Sequence, residues 1–192
     1  GSRPDTVTNT GLTLGILPFK KLQAEAGFDY KTGYENLDSY PMYFNAKTAI
    51  PENAYGPLFP AVAVGIYDIG TKTDKTDYNI VYGKLAKTIK YRDFSLGRVS
   101  VGYFRGKGKL LLDRDGRRDN HGVLAVWERT LTEISDKLWV CVEYQGTKSS
   151  YGALNAGFAW QFTKELSVIC GYQFYNNAKL VDTATIQIDI NF

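Results

Sequence analysis

The sequence predicts an all-β fold, an antiparallel up-and-down β-barrel of about 10–12 strands. The last eleven residues, 182–192, alternate apolar and polar side chains, as a strand with one apolar and one polar face does. The chain has 14 Tyr, 10 Phe, 3 Trp and 19 Gly, a composition typical of β-rich proteins. None of its six prolines follows Pro60, so long strands can pair without a missing donor.

Eleven strands follow from the alternation of apolar and polar residues between polar or proline-containing breaks. They are predicted at 10–17, 22–30, 42–48, 61–69, 78–89, 98–103, 121–131, 138–145, 154–162, 166–175 and 182–192. We interpret residues 1–9 as a tag and polar loop, since Gly1-Ser2 is typical of cloning, and 10–192 as one barrel domain.

Among the first six strands, 10–17 ends before Pro18, and 22–30 is the clearest two-faced segment. The strand at 42–48 alternates in the same way. Small residues occupy one face of 61–69, and branched aliphatic residues occupy the other. A turn at 90–93 separates the fifth and sixth strands.

The last five strands are the more regular. In 121–131, Val123, Ala125 and Trp127 oppose Glu128, and 138–145 sets four apolar residues against Glu143 and Gln145. The strand at 154–162 carries Phe and Trp on one face and small or amide residues on the other. These five strands therefore each present one apolar face.

The connections and aromatic residues favour a barrel that spans a membrane. Short turns are predicted at 18–21, 132–137 and 163–165, and longer polar loops at 31–40, 70–77 and 106–120. Aromatic residues near strand ends would form an interfacial girdle. They are Phe19, Tyr30, Trp127, Tyr144, Phe162, Tyr172 and Phe192. No apolar run is long enough for a transmembrane helix, but barrel strands need only about ten alternating residues.

Charge and cysteine content exclude several other classes. A net charge of +3 is too small to indicate nucleic-acid binding. Cys141 and Cys170 fall on opposite faces of their strands, so we expect no disulfide. The sequence contains no zinc spacing, and we expect no cofactor and no metal. No signal peptide is visible, and a targeting segment is expected to have been removed.

The segment with Ile188, Ile190 and Phe192 resembles the C-terminal assembly signal of bacterial outer-membrane β-barrels. The stretches YPMYFNAKTAIPE, TEISDKLWV and YQGTKSSYGALN are similar to uncharacterised proteobacterial outer-membrane barrel proteins. The resemblance implies the bacterial outer membrane as location, and outer-membrane lipid and the barrel-assembly machinery as partners. It also implies an even number of strands, and hence either one miscounted strand or a first strand that precedes this chain.

The polar faces of the strands give a candidate lumen. Its predicted pore-lining residues are Glu25, Lys47, Arg98, Glu128, Glu143, Gln145, Asn155 and Gln161. Charges of both signs in one lumen predict ion-paired networks. Two functions remain open: a passive narrow, porin-like pore for small solutes or ions, or a structural barrel whose lumen is plugged by salt bridges.

The loop at 106–120 carries a basic cluster that is a candidate contact for lipopolysaccharide phosphates. Its residues are Arg105, Lys107, Lys109, Arg114, Arg117 and Arg118. The acidic residues around Asp113 suggest a calcium loop only faintly, because the closing Glu is absent and arginines intervene.

Two further functions were weighed against a membrane barrel. A soluble lipocalin-like barrel would bind a small apolar ligand, and its faces would be inverted. An outer-membrane hydrolase would use His121, the only histidine, as a general base at the rim, with Ser149 or Ser150 as the nucleophile. We expect the protein not to be an enzyme, because no nucleophile can be placed beside His121.

Overall fold

The computed structural model describes residues 6–17, 19–33 and 35–192, without the side chains of residues 35 and 36. This part of the chain contains eleven strands and one short helix. The strands are β1 (Thr8–Gly15), β2 (Gln23–Thr32), β3 (Met42–Ile50), β4 (Ala61–Gly70), β5 (Ile80–Tyr91), β6 (Phe94–Arg105), β7 (His121–Thr130), β8 (Leu138–Gln145), β9 (Ala153–Gln161), β10 (Leu166–Tyr175) and β11 (Thr183–Ile190). The helix α1 (Glu35–Ser39) lies in a connection that was predicted to be a polar loop.

All eleven strands belong to one sheet, and their order in the sheet is their order in the chain. Every neighbouring pair is antiparallel, from β1–β2 to β10–β11. The predicted all-β, antiparallel up-and-down fold is therefore confirmed. β1 and β11 are the first and last strands of this order, and both run in the same direction.

The boundaries differ from the predicted ones mainly at the β5–β6 hairpin. β6 begins at Phe94, not at residue 98, because only Arg92 and Asp93 separate the two strands. Arg92 takes a positive φ of 54°, which allows this tight reversal. β1 begins at Thr8, within the stretch expected to be loop, while residues 1–5 and the predicted strand stop Pro18 lie outside the described residues.

The connections divide between two ends of the sheet. The end that carries residues 16–22, 92–93, 131–137, 162–165 and the C-terminus is called the short-turn end here. The opposite end, called the long-loop end, carries residues 33–41, 71–79, 106–120, 146–152 and 176–182. The three predicted short turns thus share one end, and the three predicted longer loops share the other. Residues 51–60 are an exception, a long connection at the short-turn end.

This long connection is held against β5. The carboxylate of Glu52 accepts hydrogen bonds from the Thr88 backbone N–H at 3.0 Å and from its hydroxyl at 2.8 Å. Lys87 donates to the Asn53 side chain and the Pro57 carbonyl oxygen of the same connection. β5 continues past the residue at which β4 begins. There the Glu52 carboxylate accepts the hydrogen bond that a longer β4 would have accepted from β5.

The sheet is strongly curved. The Tyr151 hydroxyl, in the β8–β9 connection, donates a hydrogen bond to the carboxylate of Asp68 in β4. In a flat sheet these strands would be roughly 20 Å apart at about 4.8 Å per strand, much farther than a tyrosine side chain reaches. The face on which they meet is the concave one, and it is called the inner face below.

The register assigns every strand residue to the inner or the outer face, because directly paired residues share a face. Cys141 pairs with Glu128 and Gly157 on the inner face, and Cys170 pairs with Phe158 and Ile186 on the outer face. The two cysteines are free and lie on opposite faces, as alternation predicted.

The buried hydrophobic core lies on the inner face near the long-loop end. Ile80, Phe104 and Leu111 are at most 1% exposed and pack together. Leu111 comes from the charged β6–β7 connection, which therefore folds in over the sheet. Among the residues that the structure describes, no helix is long and apolar enough to cross a bilayer.

Candidate functional site

The predicted pore-lining residues all lie on the inner face. The register pairs Glu25 with Lys47, Arg98 with Glu128, and Glu143 with Asn155. Gln145 pairs with Leu124 and Gln161 with Ser167 on the same face. The alternation in the sequence thus placed these eight side chains on one surface, although a role in conduction stays a prediction.

Two salt bridges join predicted pore-lining residues in the structure. Lys47 Nζ lies 2.7 Å from Glu25 Oε1, and Arg98 Nη1 lies 3.2 Å from Glu128 Oε1. These side chains are a quarter to two-fifths exposed, so water reaches both pairs. Glu143 is held differently, by hydrogen bonds from the side-chain amides of Gln145 at 2.8 Å and Asn155 at 3.2 Å. This part of the inner face is therefore polar and hydrated.

A cavity of about 350 Å³ opens on the inner face toward the short-turn end. It is called the vestibule here. Its polar lining includes Gln23, Glu25, Lys47, Glu52, Lys84 and Arg98. Between them, Ala49, Ala61, Ala63 and Ala86 form a floor of small side chains. Lys84 was not among the predicted lumen residues.

Toward the long-loop end the same face is filled by aromatic side chains. This filling, called the tyrosine plug, consists of Tyr67, Tyr78, Tyr82 and Tyr151 with the core residues Ile80, Phe104 and Leu111. The Tyr151 ring centroid lies 5.4 Å from that of Tyr78 and 6.1 Å from that of Tyr67. These are normal distances for aromatic packing, so the plug is a small packed core within the curved sheet.

A charged network joins the plug to the strands around it. Asp68 accepts hydrogen bonds from Tyr151 and from the ammonium group of Lys31, and is itself 8% exposed. The Lys31 Nζ also lies 4.6 Å above the centre of the Tyr43 ring. Burial, with the nearby Asp68 carboxylate, raises the pKa of the Tyr151 phenol. Tyr151 therefore remains a hydrogen-bond donor at neutral pH.

A β-bulge makes this network possible. Ala46 pairs with Ile66 but Phe44 pairs with Ile69, so β4 has one extra residue here, and Asp68 has a φ of 53°. As a result, the consecutive residues Tyr67 and Asp68 both contact Tyr151. Strict alternation would have put them on opposite faces, which is why the sequence did not predict the network. The only signal was an Asp within the apolar stretch AVAVGIYDIG.

The outer face is apolar and exposed along the sheet. The C-terminal residues Ile186, Ile188 and Ile190 are 78%, 64% and 59% exposed, and Phe192 is fully exposed. Exposed aliphatic and aromatic residues continue this surface across the other strands. They include Leu12, Leu14, Phe28, Phe44, Val64, Leu85, Val101, Val142, Phe158 and Tyr172.

Aromatic residues border this apolar surface at both ends. Tyr30, Tyr103, Tyr144 and Phe174 lie near the long-loop end, and Tyr91, Phe94, Trp160 and Phe162 near the short-turn end. In β6, Phe94 and Tyr103 are nine residues apart. At about 3.3 Å per residue, this corresponds to roughly 30 Å along the strand.

The basic cluster of the β6–β7 connection is only partly available to a ligand. Lys107 forms salt bridges with Asp74 at 2.7 Å and with Asp77, and Lys109 binds Asp74 at 2.8 Å. Hydrogen bonds from Lys107 and Lys109 lower the pKa of Asp74, and those with Asp74 and Asp77 raise the pKa of Lys107. The remaining predicted contacts, Arg105, Arg114, Arg117 and Arg118, are exposed.

Asp113, in the β6–β7 connection, forms hydrogen bonds within its own loop. Asp113 Oδ1 accepts hydrogen bonds from the backbone N–H groups of Asp115 at 2.9 Å and Arg117 at 2.8 Å. These bonds hold a turn and lower the pKa of Asp113. Within the described ranges, no group of three or more His, Cys, Asp or Glu side chains is placed to hold a metal ion.

His121 and the candidate serines are not brought together. The His121 ring packs against Tyr103, 5.9 Å between centroids, where β7 begins. Ser149 is fully buried and its hydroxyl is 3.2 Å from that of Thr147. Asp119 uses its carboxylate to accept the Lys148 backbone N–H at 2.6 Å. The described contacts therefore contain no nucleophile–base pair at this rim.

Comparisons with protein-family models, curated proteins and solved structures find no match for this chain.

Proposed function

We propose that this chain forms the wall of a β-barrel that spans a bacterial outer membrane, with a lumen that is hydrated at one end and plugged at the other. The observation that carries the proposal is the exposed apolar outer face, bordered by aromatic residues at both ends. In water such a surface would promote aggregation, whereas lipid chains would solvate it.

The polarity of the inner face argues against the lipocalin-like alternative. A carrier of an apolar ligand needs an apolar cavity, but the vestibule is lined by Glu25, Lys47, Lys84 and Arg98. The apolar part of the inner face is filled by its own side chains, Ile80, Phe104 and Leu111. A monodisperse, detergent-free monomer would nevertheless favour the soluble barrel.

The two native cysteines provide a direct test, because there is one on each face. Cys170 lies on the outer face between Phe158 and Ile186, and Cys141 lies on the inner face beside Glu128. The variants Cys141→Ser and Cys170→Ser each leave one thiol. Each would be reconstituted into phosphatidylcholine liposomes and treated with a charged methanethiosulfonate.

For a membrane barrel, Cys170 should be protected from the charged reagent, because lipid excludes the reagent and prevents ionisation of the thiol. Cys141 lies on the inner face beside Glu128 and should be modified faster than Cys170. Denatured samples, in which both thiols react with the reagent, are the control. If the charged reagent modifies Cys170 in liposomes as fast as in the denatured protein, the membrane assignment is wrong.

A second candidate function is a narrow pore that opens when the plug moves. The favouring observation is that Glu25–Lys47 and Arg98–Glu128 lie on a water-accessible part of the inner wall. We expect the unmodified protein to be silent in a planar bilayer and Tyr151→Ala to give ohmic current steps. The ion preference of those steps should change in Tyr151→Ala with Arg98→Glu. Silence of the Tyr151→Ala variant would leave the structural barrel as the better proposal.

The proposed partners follow from placing this barrel in an outer membrane. With the long-loop end outward, Arg105, Arg117 and Arg118 are the best candidates for contact with lipopolysaccharide phosphates. Lys107 and Lys109 are held by Asp74, and Arg114 Nε lies 3.7 Å from Asp115 Oδ1. Ile188, Ile190 and Phe192 remain the segment that the barrel-assembly machinery would bind. Replacing the three arginines by Gln should reduce lipopolysaccharide binding, while Lys107→Gln should change it little.

A further inference from the structure

The charged groups that line the vestibule are matched in pairs except for one. Lys47 is paired with Glu25 at 2.7 Å and Arg98 with Glu128 at 3.2 Å. Glu52 is occupied by Lys87 at 3.1 Å and by the two hydrogen bonds from Thr88. Lys84 has neither a salt bridge nor a hydrogen bond within the described part of the chain. Its Nζ lies 6.0 Å from the centre of the Tyr82 ring, and its charge also acts on the Cys141 thiol across the inner face.

The surroundings of Lys84 leave room for a ligand. Lys84 pairs with Ala63 on β4 and with Gly102 on β6, so neither neighbour carries a large side chain. Ala49 follows next to Ala63 in the same row across the sheet. The volume of about 350 Å³ lies at the lower end of the range for small-molecule sites. The space beside the ammonium group is thus sufficient for a small organic or inorganic anion.

The carboxylates of the inner face do not neutralise this lysine. Glu143 has no cationic partner among the described residues, but it accepts hydrogen bonds from the amides of Gln145 and Asn155. It also does not line the vestibule. Lys84 is partly buried at the wall of the vestibule, and no carboxylate of the described residues contacts its ammonium group, so its positive charge is available to a bound anion.

We infer that the vestibule is a binding site for a small anion, a carboxylate or a phosphate, with Lys84 as its principal ligand. Lys47 and Arg98 stand on either side of Lys84 along the wall and provide further positive potential, already partly neutralised by their own acids. The inference concerns the inner face alone, and it holds whether or not the outer face contacts lipid.

Inorganic phosphate and succinate would be titrated separately into the purified full chain by isothermal calorimetry, at constant ionic strength, in a detergent that keeps the protein folded. The two titrations distinguish a phosphate from a carboxylate ligand. Tetramethylammonium is the cationic control. We expect at least one of the two anions to bind with saturation, and the cation not to bind.

Lys84→Met should weaken anion binding by roughly tenfold or more, the loss expected for a charge-assisted hydrogen bond. Lys84→Arg should retain most of the binding, because the charge remains. Lys164→Met, which removes the same charge from the exposed turn 162–165, is the matched control and should bind as the unmodified protein does. Circular dichroism of each variant verifies the β-content.

The inference is overturned if neither anion binds to the folded, unmodified protein, or if Lys84→Met binds as tightly as Lys164→Met does. Equal loss in Lys84→Arg and Lys84→Met would also overturn it, because a charge requirement would then be absent. Thiol labelling in liposomes tests the membrane assignment independently, so failure of one proposal does not imply failure of the other.

Discussion

The two ends of the inner face differ although they belong to the same strands. Toward the long-loop end, Phe104 and Ile80 are buried and the charged network of Lys31, Asp68 and Tyr151 is shielded from water. Toward the short-turn end, the salt bridges of Lys47 and Arg98 are exposed to water, and alanines leave a cavity. Side-chain size, the folded-in loops and the β-bulge at Asp68 fill one end of the inner face and leave the other end open.

The comparison predicts that truncating a side chain in the plug lowers the free energy of unfolding far more than truncating one elsewhere. Phe104→Ala should reduce the free energy of unfolding by about 3–5 kcal/mol, because it leaves a cavity in a packed cluster. Urea unfolding of the purified protein, followed by tryptophan fluorescence, measures the loss. The matched control is Phe158→Ala on the outer face, where the side chain is exposed and the loss should be much smaller. Equal losses would mean that the plug is not a core.

The hydrogen bond that crosses the inner face is expected to have the next largest effect. Tyr151→Phe removes the donor to Asp68 and should cost about 1.5–3 kcal/mol, the range for hydrogen bonds to charged groups. The same urea experiment applies, with Tyr144→Phe on the outer face as control. A Tyr151→Phe variant as stable as its control would show that the network does not hold the plug.

Close packing predicts a difference between two glycines on neighbouring strands. A Cβ at Gly65, on the inner face, would lie 2.8 Å from the Tyr82 ring and from the Ala46 carbonyl oxygen. Gly65→Ala should therefore cost about 1–3 kcal/mol by overpacking. At Gly83, on the outer face, the nearest atom would be Val64 Cγ1 at 3.7 Å, so Gly83→Ala should be tolerated. Comparing the thermal unfolding midpoints of the two variants checks this prediction, and the midpoint of Gly65→Ala should be the lower one.

The vestibule should tolerate loss of a salt bridge better than the plug tolerates loss of its hydrogen bond. Arg98→Met should change the free energy of unfolding by only about 0–1 kcal/mol, because the pair with Glu128 is exposed to water. A double-mutant cycle with Glu128→Gln measures the coupling. A coupling as large as that of Tyr151 with Asp68 would contradict the proposed hydration of this end.

The smallest expected effect is a pH dependence at the plug. Because burial raises the pKa of Tyr151, the stability that its hydrogen bond contributes is complete below the unfolded-state pKa of tyrosine. That contribution is lost as the pH rises through the raised folded-state pKa. Tyr151→Phe should therefore flatten the alkaline part of the stability profile, which thermal unfolding from neutral to alkaline pH would measure. An unchanged profile would argue against a buried phenol.

Alternation in the sequence was sufficient to predict the existence of the eleven strands, their antiparallel order and the faces of the regular ones. The reason is that a period of two residues assigns faces without any tertiary information, as in 121–131 and 154–162. It also placed Lys47 with Glu25 and Arg98 with Glu128 on one surface. Boundaries at tight turns, such as the start of β6, were less accurate, because the strand continues through a two-residue hairpin.

The plug and the vestibule could not be predicted in this way. The bulge at Asp68 changes the period locally, and Leu111 enters the core from a loop whose charges suggested full exposure. The contact between Tyr151 and Asp68 joins residues 83 positions apart and depends on how far the sheet curls. The sequence did not predict a role for Lys84, because its lack of a charged partner becomes visible only when the structure shows the partners of the other charged residues.

The odd number of strands in the described part of the chain has a consequence for how this sheet could close into a barrel. Since β1 and β11 point the same way, joining them directly would require a parallel ladder, unlike every other junction in the sheet. An all-antiparallel cylinder instead needs an additional strand of opposite polarity between these two edges. Pairs of cysteines introduced in β1 and β11 would distinguish the two closures. A disulfide between them would form if the two strands are in direct contact and would not form if another strand lies between them.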